Sequence, residues 1–329
     1  MIIQEQRQTT FRRLGTKVQG LSIPDAMKAS GIDFHVGITP LVVSVPTIYT
    51  GPDDEVISEA KPFIGQHLTY RADTREPLAT VGSRYEVIQT LDAIRLVEEM
   101  TACGWEPEFA GLVGKGKVVF MAGKLAFDSS THEIDPYLCF VNSFDGTSGL
   151  KFASTPYRPA CTNQIKAIFR RGAHRPVVSL RHTSKVLERA EGIREALGLS
   201  AAYYKFLDDS VDRLLNITLS ESLIKEVLEA VVPIPAARNS EVSERVIANK
   251  MEKRSLIMNN LNQSPTLNGI RTTAWGIYNS VTEIEQWSRT TPTTVAQAES
   301  QLGNHIGSVP MTTAGDRAFR VMERLLVPA

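Results

Sequence analysis

The spacing of apolar and polar residues divides the chain into two parts with different secondary structure. In the first part, short β-branched or alternating segments predict strands. One of them, Thr39–Thr50, contains Pro40 and Pro46, so it is predicted to be an edge strand or a short strand. The other predicted strands are His67–Ala72, Leu78–Tyr85, Glu108–Val113, Lys117–Phe127, Pro136–Phe144 and Leu150–Ser154, with a hairpin turn at Asp73–Pro77.

Two helices are predicted among these strands. Apolar residues recur every three positions at Leu91, Ile94, Val97 and Met100, which predicts a helix over Thr90–Gly104. A second helix is predicted over Cys161–Arg171, because Pro159 precedes this segment and Gly172 follows it.

From about Thr183 onward the apolar pattern is helical. Stripes with helical spacing occur at Val186, Leu187, Ala190, Ile193 and Leu197, at Leu223, Ile224, Val227, Leu228 and Val231, and at Ile270, Ala274, Ile277, Tyr278, Val281 and Ile284. The sequence therefore predicts an α+β fold. An antiparallel β-sheet with packed helices is expected over residues 1–182, followed by a mostly helical domain over residues 183–329.

Composition narrows the class of protein. Apolar residues make up 42% of the 329 residues, which is enough for a core. No apolar run approaches the ~18 residues of a membrane helix, and the start lacks the apolar region of a signal peptide. We therefore expect a cytoplasmic protein, in the host cytoplasm if a phage encodes it. The widely spaced Cys103, Cys139 and Cys161 predict neither a disulfide framework nor a zinc ribbon.

Two patterns that resemble catalytic or phosphate-binding motifs are interpreted otherwise. Gly111–Lys117 has the glycine spacing of a P-loop, but Val118 replaces the Ser or Thr, and a strand rather than a helix is predicted next. The carboxylates of Asp73, Glu133, Asp135 and Asp145 lie near turns and lack the spacing of a metal site. No catalytic residue, metal or cofactor is predicted. A metal-dependent nuclease or phosphoesterase that uses Asp73 and Asp145 stays open as an alternative.

The functional prediction is based on the uneven distribution of charged residues along the chain. Lys+Arg and Asp+Glu both number 36, yet the segment Lys151–Lys185 contains eight Lys or Arg residues and no Asp or Glu. We call it the basic segment. Cationic surfaces with interleaved aromatic residues bind single-stranded nucleic acid without sequence preference. The predicted binding residues are Lys115, Lys117, Lys151, Tyr157, Arg158, Lys166, Arg170, Arg171 and Arg175. A solvated basic face, or one paired with acids such as Asp208–Asp209, stays open as an alternative.

Several short motifs resemble a known family. The chain is similar, nearly end to end, to a domain of unknown function of phage- and plasmid-like proteins, family number 932. The motifs are Leu14–Thr16, Arg71–Asp73, Val81–Tyr85, Tyr137–Gly146, Thr155–Arg158, Cys161–Asn163 and Thr273–Asn279. Phe144 stands where the family usually has His. Residues 90–172 also resemble the core of Rad-type single-strand annealing proteins in the order of their elements, which implies a basic groove for single-stranded DNA.

These observations predict a phage-type protein that binds and anneals single-stranded DNA. Lys151, Arg158, Lys166, Arg170 and Arg171 would neutralise phosphates, Lys115 and Lys117 would clamp from a hairpin tip, and Tyr157 would stack on a base. A homo-oligomeric ring or filament is expected, along with a partner nuclease. The aromatic face of Trp275, Tyr278 and Trp287 is expected either to contribute to assembly or to pack on the first domain. A phage protein that acts on a host protein is a further alternative.

Overall fold

The part of the chain that the structure describes folds into two antiparallel sheets and a set of helices. The computed structural model describes residues 10–47, 57–102, 104–158, 163–164, 177–182, 191–235, 244–287 and 313–326. The strands are β1 (Thr16–Lys17), β2 (Val36–Thr47), β3 (Ile57–Arg71), β4 (Pro77–Gly82), β5 (Trp105–Val113), β6 (Val118–Leu125), β7 (Asp135–Ser143), β8 (Leu150–Arg158), β9 (Asn163–Gln164) and β10 (Val177–Leu180).

The helices surround the strands and make up most of the second half. They are α1 (Thr10–Leu14), α2 (Ile23–Ser30), α3 (Thr90–Ala102), α4 (Glu191–Asn216), α5 (Glu221–Val231), α6 (Glu244–Gln263), α7 (Ala274–Trp287) and α8 (Ala314–Leu326). The predicted α+β class with a helical C-terminal region is confirmed. No helix of the described residues is long and apolar enough to cross a membrane.

The main sheet has the order β1-β5-β6-β7-β8-β10, and β9 also pairs with β8. The smaller sheet has the order β2-β3-β4, so β2 is an edge strand and β3 and β4 form the predicted hairpin. Directly after the Gly114–Gly116 turn, Val118–Leu125 forms a strand rather than a helix. Rejection of a P-loop at this position is therefore supported by the fold.

Both faces of the main sheet are covered. On one face, α2 and α3 pack over a cluster that contains Trp105, Phe140 and Phe152. On the other face, the Phe11 side chain of α1 packs among aromatic rings of the strands. β7 is buried along nearly its whole length, which explains its near-continuous apolar sequence.

Two predicted helices need correction. The buried face of α3 is formed by Ala93, Leu96, Val97 and Met100, whereas Leu91 is exposed. The helix predicted over Cys161–Arg171 is wrong at Asn163–Gln164, which pair with β8 as a strand. A short apolar run does not distinguish a helix from an edge strand by spacing alone. The remainder of that prediction lies outside the described residues.

The helical part has its own apolar core, in which Trp275 and Tyr278 of α7 are buried. Their rings stack on each other at 5.1 Å, and Tyr278 packs against Phe319 of α8. Ile134, which precedes β7, belongs to the same cluster. These two aromatic side chains therefore pack within the chain and offer no surface for assembly, while the side chain of Trp287 lies outside the description.

Close backbone contact explains the Leu14–Thr16 motif. Gly15 lies against β5, where a Cβ atom added to Gly15 would be 2.7 Å from the Ala110 carbonyl oxygen and 3.0 Å from the Phe120 ring. Gly111 lies opposite, and a Cβ there would be 2.9 Å from the Gly15 Cα. Two glycines thus allow the segment after α1 to lie directly on the sheet.

We expect Gly15→Ala to lower the free energy of unfolding by ~1–3 kcal/mol, because the added methyl overlaps a backbone carbonyl. Urea denaturation measures this. Gly198→Ala in α4 is the matched control, since nothing lies within 4 Å of its added Cβ. There alanine should stabilise the helix by up to about 1 kcal/mol. An equal change in the free energy of unfolding for the two variants would contradict the close packing of Gly15.

Candidate nucleic-acid interface

The described parts of the basic segment lie along the outer edge of the main sheet. Asn163–Gln164 pair with Arg158 and Tyr157 of β8, and Val177–Leu180 pair with Ala153–Leu150 of the same strand. Both paired segments therefore lie on the side of β8 away from β7. The intervening sequence, residues 165–176, carries Lys166, Arg170, Arg171 and Arg175 and no acid. These four predicted binding residues lie outside the described residues.

Three other predicted cations lie at one end of the sheet. Lys115 is in the β5–β6 turn, where its exposed ammonium pairs with Glu76 at 2.7 Å. Lys117 is exposed in the same turn, and Lys151 lies two strands away in β8. From the register, the Cα atoms of Lys117 and Lys151 are ~14 Å apart. Partial burial lowers the pKa of Lys151.

Tyr157 is not available to stack on a base. Its side chain is buried, and its ring centroid lies 5.8 Å from that of Phe11 and 5.6 Å from that of Tyr137. The prediction for Tyr157 is therefore corrected. Residues that alternate along a strand point to opposite faces, and this position points into the core beneath α1.

Arg158 is also interior, with only 1% of its surface exposed. Its guanidinium binds the Glu133 carboxylate through Nε and lies 3.7 Å from Glu283 Oε1 through Nη1. A guanidinium held between two carboxylates in the interior does not bind phosphate. The prediction that Arg158 neutralises a phosphate is therefore corrected as well, and its role is structural.

Polar side chains around Arg158 join the sheet to the helices. Trp275 Nε1 of α7 donates to Glu133 Oε2 at 2.9 Å, and Thr266 Oγ1 donates to Glu283 Oε1 at 2.6 Å. Tyr204 of α4 donates to the carbonyl oxygen of Tyr137 in β7. The basic segment therefore begins on a strand that is fixed to the helical part by buried hydrogen bonds.

Asp208 of α4 provides a second link between the two parts. Its carboxylate accepts hydrogen bonds from Ser129 Oγ at 2.6 Å, from Ser130 N at 2.8 Å and from Thr131 Oγ1 at 2.7 Å. Burial alone would raise the pKa of Asp208, but these hydrogen bonds outweigh it and the net pKa is lowered. Asp208 thus binds hydroxyl and amide donors. The neighbouring Asp209 has its Oδ2 atom 3.9 Å from Lys205 Nζ.

The carboxylates considered for a metal site are separated and bind other partners. Asp73 pairs with Arg71 at 2.6 Å, and this hydrogen bond lowers the pKa of Asp73 to about 2. Asp135 pairs with Lys124 at 2.8 Å, while Glu133 binds Arg158. Across the ranges that the structure describes, no three His, Cys, Asp or Glu side chains form a group that could hold a metal.

One cluster was missed by sequence reasoning. Tyr85 donates to the carbonyl oxygen of Ser143 at 2.9 Å, and Ser143 Oγ donates to Asp145 Oδ1 at 2.5 Å. The ring of His182 stacks on Tyr85 at 5.1 Å. Two of the family-like motifs, Val81–Tyr85 and Tyr137–Gly146, are therefore in contact here. The presence of both motifs in the sequence was the only sign of this cluster. Phe144 is buried against Phe34.

His182 belongs to the basic segment but is only 7% exposed. Neither ring nitrogen makes a hydrogen bond of normal geometry within the described residues. Burial lowers its pKa to about 4, although the Glu86 backbone carbonyl and the Asp145 carboxylate favour the protonated ring. The ring is therefore neutral at physiological pH.

Comparison with known proteins gives a family. The family model with the description "Domain of unknown function (DUF932)" matches residues 77–305, which is more than half of the chain. Comparison with curated proteins and with solved structures found no match.

We expect the stability to decrease as the pH falls from about 6.5 to about 4, because the unfolded His182 ring takes up a proton over this range while the buried ring does not. The loss of free energy of unfolding over this range is about 3 kcal/mol. His182→Phe should flatten the pH dependence of the free energy of unfolding, measured by urea denaturation. His35→Phe, at an exposed position, is the control and should keep the wild-type dependence. An unchanged dependence in His182→Phe would contradict this assignment.

Proposed function

Since the chain belongs to the DUF932 family, whose description names no activity, we propose its function from its own residues: it binds and anneals single-stranded DNA. The observation that carries the proposal is the basic segment, with eight cations and no acid in a chain of zero net charge. Seven of these cations remain for DNA once Arg158 is assigned to Glu133 and Glu283. Lysine and arginine side chains that neutralise phosphates supply most sequence-independent affinity.

The position of the basic segment supports the proposal. Both of its paired parts, Asn163–Gln164 and Val177–Leu180, lie on the outer edge of β8, at the rim of the sheet rather than on its covered faces. Exposed Arg181 follows β10, and Lys151 is partly exposed nearby in β8. A strand of DNA along this rim would contact Lys151 and Arg181 at the end of β8 where Leu150 lies.

Annealing requires no bond to be made or broken in the DNA. The protein holds a strand by its phosphates and leaves the bases free to pair with a complementary strand. Burial of Tyr157 fits this mode, because contact is then made mainly with the backbone and not by stacking at that position. The proposal includes a homo-oligomeric ring or filament, since one subunit spans only a few nucleotides, and a nuclease that supplies the single strand.

Gel-shift titration with single-stranded and double-stranded DNA tests the proposal, together with an assay of complementary-strand annealing. Preference for single strands and faster annealing are expected. Cleavage of DNA that depends on magnesium would instead favour the nuclease alternative. Absence of DNA binding together with capture of a host protein would favour the other alternative, a phage protein that acts on a host protein.

The salt dependence of binding gives a quantitative prediction. With Arg158 excluded, Lys151, Lys166, Arg170 and Arg171 would neutralise four phosphates. The slope of log affinity against log salt should therefore be near −2.8, at about 0.7 per phosphate on single strands. Filter binding over a range of sodium chloride concentrations measures the slope. An affinity that does not change with salt would refute the phosphate contacts.

Charge reversal within residues 165–176 gives a second prediction. Arg170→Glu combined with Arg171→Glu should abolish binding of single-stranded DNA, because two phosphate contacts become repulsive. The matched control is Arg245→Glu with Lys253→Glu, which makes the same change in net charge at exposed positions of α6. Filter binding compares the two double variants, and circular dichroism verifies that both remain folded. Wild-type affinity in the first variant, or equal loss in both, would contradict the assignment.

A further inference from the structure

The two ends of the main sheet differ in charge. At one end, strands β5, β7 and β10 finish and strands β6 and β8 begin. The described strands and turns of this end contain one acid, Asp145, and four cations, which are Lys115, Lys117, Lys151 and Arg181. We call it the cationic end. The Asp145 carboxylate already accepts hydrogen bonds from Ser143 and Thr147.

The opposite end of strands β5 to β8, which we call the acidic end, has the reverse excess. Its strands and turns contain five acids, which are Glu106, Glu108, Asp128, Glu133 and Asp135. Its two cations are paired, Lys124 with Asp135 and Arg158 with Glu133. Exposed Glu106 and Asp128 pair with no cation of the described residues. Phosphates are therefore attracted to the cationic end of these strands and not to the acidic one.

A turn of the smaller sheet lies against the cationic end. The β3–β4 turn places Glu76 2.7 Å from the exposed ammonium of Lys115. Next to this ion pair, the Arg71 guanidinium lies 3.9 Å from the centre of the Phe34 ring. A Cβ atom added to Gly116 would be 2.9 Å from the same ring. The β3–β4 and β5–β6 turns are therefore in close contact.

Arg75 adds a cation where these turns meet. It is exposed, and its side chain makes no ion pair or hydrogen bond within the part of the chain that the structure describes. The neighbouring acids have other partners, because Glu76 binds Lys115 and Asp73 binds Arg71. Both Arg75 (φ 59°) and Lys115 (φ 62°) adopt the left-handed backbone conformation, which is uncommon for residues other than glycine. Long cationic side chains at two such positions favour a role in binding.

We propose that single-stranded DNA crosses the cationic end of the main sheet, from Lys151 at the rim, past Lys117, to Arg75 at the two turns. The Cα atoms of Lys117 and Lys151 are ~14 Å apart, which a few nucleotides span. Arg75 binds a phosphate at the far end of this path. The inference rests on the proposed function and adds to it the direction of the strand, which runs across β8, β7 and β6.

The path changes the salt dependence expected for longer DNA. The slope near −2.8 counts four cations of the basic segment, at about 0.7 per phosphate, and applies to an oligonucleotide too short to reach the turns. A strand that reaches them should give a slope steeper by about 0.7 for each added phosphate. Filter binding of oligonucleotides of increasing length measures this. A slope that is the same at every length would overturn the path.

Arg75→Gly removes the cation and suits the left-handed backbone, so the variant should stay folded. Its affinity for the longer strand should fall about fivefold to tenfold at low salt, with a slope less steep by about 0.7. His132→Gly is the matched control, because His132 is exposed at the acidic end with a φ of 55°. Arg245→Ala in α6 controls for net charge. Wild-type affinity in Arg75→Gly, or equal loss in either control, would overturn the proposal.

Glu76→Gln should change the affinity in the opposite direction. Without this acid, Lys115 is available to a phosphate, and the affinity for the longer strand should rise about twofold to fivefold at low salt. Damage to the fold does not produce such a gain. Glu106→Gln is the matched control at the acidic end and should bind as the wild type does. No gain in Glu76→Gln, or an equal gain in both variants, would overturn the path.

These measurements separate the path from the proposed function. If the wild-type protein does not bind single-stranded DNA, both are wrong. If it binds, and Arg170→Glu with Arg171→Glu abolishes the binding, the proposed function stands. The variants of Arg75 and Glu76 then decide the path alone, since their failure to change the affinity overturns the path and leaves the basic segment as the binding site.

Discussion

The burial of Arg158 between Glu133 and Glu283 is the constraint on which the rest of the structure depends. Arg158 ends β8, Glu133 precedes β7, and Glu283 lies on α7, so one guanidinium joins the main sheet to the helical part. Removal of one partner from a buried ion pair leaves an unpaired charge and typically costs ~3–5 kcal/mol. The sheet edge and the helices are therefore held in one arrangement by charge as well as by apolar packing.

The same arrangement gives the basic segment two distinct roles. At Arg158 the positive charge is satisfied inside the protein and is part of the scaffold. Beyond it, Asn163–Gln164 and Val177–Leu180 pair with the outer edge of β8, and the sequence between them, residues 165–176, contains four cations and no acid. A count of charges along the chain does not separate these roles, because burial depends on residues far away in sequence.

This difference explains how far the sequence predicts the molecule. The β3–β4 hairpin and strands β5 to β8 follow from local sequence patterns and turn residues, and all are present, although β3 begins at Ile57 rather than His67 and β8 extends to Arg158 rather than Ser154. Tyr157 is buried against Phe11, and Arg158 is paired with Glu283. Both partners lie far away in sequence, so the local pattern of residues does not predict these contacts. His182 was likewise missed, since its stacking on Tyr85 joins residues almost a hundred positions apart. Local patterns predict elements, whereas long-range contacts decide which side chains remain available.

The collinear placement of β9 and β10 has a consequence for how this protein can change over evolution. Only Ser154, Thr155 and Pro156 separate the two places where these strands pair with β8. The length of the chain between β9 and β10 is therefore not fixed by the register of the sheet. Insertions or deletions between β9 and β10 during evolution therefore need not shift either pairing with β8.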